Sequence, residues 1–120
     1  MPVSAASALA LFLSCTALAH FVFPAYFRTL VPPWLPSPAI IVAATGVAEL
    51  AVAGLLSVPP TRTAGGWAAT ALIASFQVSH LDAARRTRSA TRLLDTPWGV
   101  AARLCVNAGY LAWAAGIALG

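Results

Sequence analysis

Apolar residues along this chain gather into four long stretches, separated by short segments rich in proline, glycine and arginine. They run roughly Val3 to Phe23, Ala39 to Val58, Ala64 to Leu81, and Trp98 to Leu119. Each is close to the ~20 residues a helix needs to cross a bilayer. None shows the two-residue alternation of a barrel strand, and an isolated strand cannot satisfy its backbone in lipid. The pattern therefore predicts four helices.

Punctuation marks their ends. Ser37-Pro38 and Thr96-Pro97 read as an N-cap followed by a proline at the first helical position. Val58-Pro59-Pro60 stops the second stretch, because proline supplies no amide hydrogen and clashes with the preceding turn. Gly65 and Gly66 loosen the entry to the third. Thr16-Ala17-Leu18-Ala19 has the small residues of a signal-peptidase site, and Leu13-Ser14-Cys15 resembles a lipoprotein cleavage box. The residues before them carry no Lys or Arg, so the first stretch reads as an uncleaved helix.

Composition places these helices in a membrane. Of 120 residues, 60% are hydrophobic and 8% charged, against about 25% charged in soluble domains, and mean hydropathy is +0.84. The expected fold is all-α: one domain over residues 1–120, an integral membrane bundle of four transmembrane helices with a Pro-rich interfacial first loop. That loop, from Phe23 to Pro38, is too aromatic for a solvated linker; it should lie along the interface and cover one mouth of the bundle.

The formal charge is +4, and all seven basic residues are arginine. Four of them, Arg85, Arg86, Arg88 and Arg92, sit beside the third stretch. This favours anionic lipid as the partner over nucleic acid. With Arg28, they put the first and third loops in the cytoplasm, against Arg62 alone in the second.

An ionisable group within a span costs about 2.5–3.5 kcal/mol on insertion scales, so each asks for a reason. Glu49 lies mid-span on a face shared with Gly46, Leu50 and Ala53, and small residues there allow close helix approach. Arg103, Asn107, Tyr110 and Ala114 make a polar stripe at helical period. Thr70, Gln77 and His80 share one side of the third span, while Thr16 and His20 stack at i, i+4 on the first. A polar seam facing the bundle interior is expected. Within it Arg103 could pair with Glu49, or extend to the cytoplasmic headgroups. His20 and His80 could hold haem or a metal, although terminal histidines are more often interfacial. Cys15 and Cys105, at similar depth, read as two small buried residues rather than a redox pair. No Ser/His/Asp arrangement, phosphate loop or carboxylate dyad is present.

The order His20-Phe21, Pro24, Phe27, Val31-Pro32-Pro33-Trp34-Leu35-Pro36, then Gly46-Val47-Ala48-Glu49 and Gly54 resembles the DoxX-like family of small bacterial membrane proteins. Relatives often carry a Phe-Pro-Ala-Asn-like stretch in the third span, where this chain has Phe76-Gln77-Val78-Ser79-His80. The resemblance implies a four-helix bundle in the bacterial cell membrane, tied to redox and quinone processes, with His20 and Glu49 as site positions. Some relatives are named as a subunit of thiosulfate:quinone oxidoreductase.

Three functions follow as expectations. The first is a redox-associated subunit binding a quinone-like or other small amphipathic ligand through His20, Glu49, Arg103 and Asn107. The second is a structural or assembly subunit contacting a protein partner or a second copy of itself. The third is a small proton-coupled transporter with Glu49 as carrier.

Overall fold

The computed structural model describes residues 3–89 and 92–120, with 88 and 89 described by backbone alone. The Arg88 side chain, counted above in the basic segment, lies outside the described part. Four long helices are present: α1 (Val3–Val22), α3 (Pro38–Ser57), α4 (Arg62–Ala83) and α5 (Pro97–Leu119), with a short α2 (Pro24–Arg28) after α1. Among the described residues there is no strand. The long helices begin and end within two residues of the predicted stretches.

By length and composition α1, α3 and α5 are apolar enough to cross a membrane. At 22 residues α4 is long enough, but Arg62, Gln77, His80 and Asp82 dilute its apolar content. Many large outward side chains are hydrophobic; Leu11, Leu18, Ile40 and Val47 are each more than half exposed.

Caps differ at the two proline-marked starts. The Thr96 side chain accepts from Gly99 N at 3.2 Å, as predicted. Ser37 makes no side-chain cap bond and sits at φ 53°, ψ 62°. Thr96 is extended, as a residue before proline prefers, whereas Ser37, between Pro36 and Pro38, holds the N-cap position in the left-handed conformation with its hydroxyl unused for capping.

In the packing, α1 lies chiefly on α3 and α4 chiefly on α5; α3 and α4 join the two pairs, and α1 meets α5 more sparsely than any of these. Small residues set the spacing at the end where α4 begins. A Cβ on Gly65 would stand 2.8 Å from Leu56 N, and one on Gly66 2.7 Å from Ala118 N. Consecutive helical positions point about 100° apart, so one glycine admits α3 and the next admits α5. Leu9, Leu13, Leu56 and Ile73 fill this half, with Ala6, Ala10, Ala69 and Ala114 between them. Trp113 Nε1 donates to Ala5 O at 3.0 Å, and Phe12 lies against Tyr110 at 4.5 Å between ring centroids, so α1 and α5 meet here.

The other half is capped by the first loop. Ser79 Oγ donates to Leu30 O, Trp34 Nε1 to Asp82 Oδ1 at 3.2 Å, and Arg92 Nη2 to Thr29 Oγ1 at 3.0 Å. Loop one is thereby tied to the end of α4 and to loop three, over one mouth of the bundle as expected. Cys15 and Cys105 are unpaired and exposed on the outer faces of α1 and α5. This corrects the expectation that they are buried: both helices turn them away from the core.

Candidate functional site: a cavity beneath the first loop

Beneath loop one lies a cavity of about 360 Å³. Its borders come from positions 12–20 of α1, 41–49 of α3, 73–80 of α4 and 107–110 of α5, closed above by Phe27, Leu30, Val31, Pro32 and Leu35. Most of the wall is apolar.

The α1–α3 wall carries the carboxyl. Glu49 is 2% exposed and borders the cavity. It reaches this place because Gly46, one turn earlier, lets α1 come close. A Cβ there would sit 3.2 Å from His20 Cβ and 2.9 Å from the Phe21 ring. Thr16 Oγ1 then lies 2.7 Å from Glu49 Oε2 and 3.0 Å from Leu13 O. A hydroxyl has one proton and a backbone carbonyl can only accept. When Thr16 donates to Leu13, its contact with Glu49 is a hydrogen bond only if the carboxyl carries the proton. When Thr16 donates to Glu49, the carboxylate is accommodated. The threonine thus accepts either form of Glu49.

His20 is held on the same wall. Its Nδ1 donates to Thr16 O at 2.7 Å, with Glu49 Oε2 3.7 Å away, and the ring stacks on Phe27 with centroids 4.0 Å apart. Among the described residues, Glu49 Oε1 and His20 Nε2 bond to no other protein group.

On the α4–α5 wall, Asn107 spends both amide hydrogens on α4. Its Nδ2 donates to Ile73 O at 3.2 Å and to Gln77 Oε1 at 2.8 Å, which leaves Oδ1 as an acceptor. His80, also at the cavity, accepts at Nδ1 from Arg103 Nε at 3.1 Å.

Of the four predicted site residues, His20, Glu49 and Asn107 border the cavity and Arg103 does not. The possible Glu49–Arg103 ion pair does not form. Arg103 points toward loop three, where Nη1 donates to Asp95 Oδ1 at 3.2 Å and to Leu94 O at 3.3 Å; its Nη2 is buried and meets no partner among the described residues. This follows the direction expected of a headgroup-seeking arginine, ending on an aspartate instead. Sequence reasoning left Thr16 and His80 out of the site. Their signals were the i, i+4 step from Thr16 to His20 and the shared side of Gln77 and His80.

Among the described residues no three His, Cys, Asp or Glu side chains converge as metal ligands. The arrangement is an apolar chamber with hydrogen-bonding groups on two facing walls. It suits an amphipathic guest better than an ion. A family model described as a domain of unknown function, DUF8561, matches residues 9–118, and the chain belongs to that family. No curated protein and no solved structure matches it.

Proposed function

We propose that this DUF8561 protein crosses a membrane four times and binds a small amphipathic ligand in the cavity beneath loop one. The observation that carries the reading is Glu49: a carboxyl 2% exposed, set in the wall of a largely apolar cavity of about 360 Å³. Ligand pockets are typically about 300–1,000 Å³ and apolar, with few polar groups to orient the guest. A carboxyl is expensive at membrane depth and is retained there for a use.

The fourth crossing falls to α4. Its polar side chains turn inward, Gln77 to Asn107 and His80 to Arg103, so lipid need not meet them. The positive-inside rule sets Arg28, Arg85, Arg86 and Arg92 on the cytoplasmic face. The resemblance to DoxX-like proteins supports a bacterial cell membrane, a redox association and a quinone-like head as the guest.

A second reading, a structural or assembly subunit, is favoured by the same polar contacts. Thr16–Glu49 joins α1 to α3, and Asn107–Gln77 joins α5 to α4. Mass spectrometry of lipid extracts separates the two. The binding reading expects a stoichiometric amphiphile with wild type and its loss with Glu49→Gln and Glu49→Ala. Both variants should stay folded, because the Thr16 hydroxyl has the Leu13 carbonyl to fall back on. Equal retention by all three proteins removes Glu49 from the site. Absence of any amphiphile, with a protein partner retained, establishes the structural reading.

A further inference from the structure

The two histidines of the chain are locked in opposite tautomers. A carbonyl can only accept, so the bond from His20 Nδ1 to Thr16 O places that ring's proton on Nδ1. A guanidinium nitrogen can only donate, so the bond from Arg103 Nε requires His80 Nδ1 bare, and the neutral ring carries its proton on Nε2. The neutral His20 ring therefore offers a lone pair at Nε2, and the neutral His80 ring offers an N–H. Both rings border the cavity, and neither Nε2 has a bonding partner among the described residues.

The donor is held from a distance. Arg103, 9% exposed in its side chain, does not border the cavity. Asp95 Oδ1 and Leu94 O fix its Nη1, and its Nε then fixes His80. We propose that Asp95, Arg103 and His80 are a chain of positioning contacts presenting the His80 Nε2–H to the cavity. The site thereby selects a neutral hydroxyl-bearing head on an apolar body. The head's oxygen accepts from His80, and its hydroxyl hydrogen goes to the wall of His20 and Glu49. An anionic head would face the Glu49 carboxyl, and a cationic one would face the His80 N–H with the Arg103 charge behind it. This inference rests on the ligand-binding reading of the cavity.

The test uses the full chain, labelled with ¹⁵N-histidine, in lipid nanodiscs. Three probes, 4-hexylphenol, 4-hexylanisole and hexylbenzene, are titrated and followed by imidazole ¹⁵N shifts, with empty nanodiscs as the partition control. Before any probe, one imidazole should be protonated at Nδ1 and the other at Nε2. The phenol should bind about tenfold more tightly than the anisole, which keeps the acceptor oxygen and lacks the hydroxyl hydrogen, and the anisole about tenfold more tightly than hexylbenzene, each step the worth of one well-made net hydrogen bond. Arg103→Gln should mix the tautomers of the second ring and erase the anisole-over-hexylbenzene step, and Asp95→Asn should shift both in the same direction. His80→Phe should lose that step while still binding hexylbenzene. A His80 proton on Nδ1, or an unchanged anisole-over-hexylbenzene step in both Arg103→Gln and His80→Phe, overturns the inference. Equal binding of the three probes to wild type overturns the selection while leaving a ligand-binding cavity. Failure of all three probes to bind overturns both.

Discussion

Replacing Gly66 with alanine tests whether close helix approach holds the bundle shut at the far end from the cavity. In a helix interior the exchange by itself favours folding by about 0.5–1 kcal/mol. At Gly66 the added Cβ would stand 2.7 Å from Ala118 N and 2.9 Å from Ala118 Cα, where ordinary contact begins at 3.4 Å. Both neighbours are backbone, so no side chain can swing aside and α4 must retreat from α5. Overpacking of this kind costs about 1–3 kcal/mol, which exceeds the helical gain. Gly54 and Gly109 are internal controls, since a Cβ on either meets nothing within 4 Å. The assay is thermal unfolding in detergent followed by near-ultraviolet circular dichroism, which reads aromatic packing such as Trp113 over Ala5. Gly66→Ala should melt several degrees below wild type, while Gly54→Ala and Gly109→Ala melt at or slightly above it, with about 4 °C for each kcal/mol. A Gly66→Ala protein as stable as Gly109→Ala would refute the close-packing account.

Thr96→Ala should destabilise α5 by about 1 kcal/mol through loss of its cap, whereas Ser37→Ala should be neutral because that hydroxyl caps nothing; equal melting shifts would contradict this. Gly46→Ala should cost less than Gly66→Ala, because one close neighbour is the half-exposed Phe21 ring, yet it should weaken ligand retention by moving His20 away from Glu49. The check is to measure stability and retention on the same sample. Oxidation with copper phenanthroline should give no intramolecular Cys15–Cys105 disulfide, since the two thiols leave the bundle on outer faces. An intramolecular crosslink in monomeric detergent complexes would contradict the helix rotations.

The helices were legible because their length, apolarity and proline marks act locally, and each survives into the fold within two residues. Glu49, Asn107 and His20 were legible for a related reason: helical period alone puts a polar residue on a face, and in an apolar bundle that face turns inward. Arg103 shows where local rules stop. Its Cα position was readable, but the end of a long flexible side chain is chosen by what lies around it. Asp95, eight residues away across a turn, outcompeted Glu49. Ser37 holds the N-cap position that its place before Pro38 marks, but in the left-handed conformation its side chain makes no cap bond, which the residue type alone did not tell. The role of His80 rests on contacts between α4, α5 and loop three that no single segment encodes.

The cavity touches nothing beyond Phe12 on α1, Glu49 on α3, Ile73 on α4 and Tyr110 on α5. Past that floor the stretch of α1 from Val3 to Leu11 runs about 14 Å through tightly interlocked alanines, leucines and the two glycine contacts. On the proposed reading, a guest beside Glu49 therefore enters and leaves through the loop-one half of the bundle. The cavity is then a socket, packed shut at its floor, and the carboxyl is a docking point in its wall.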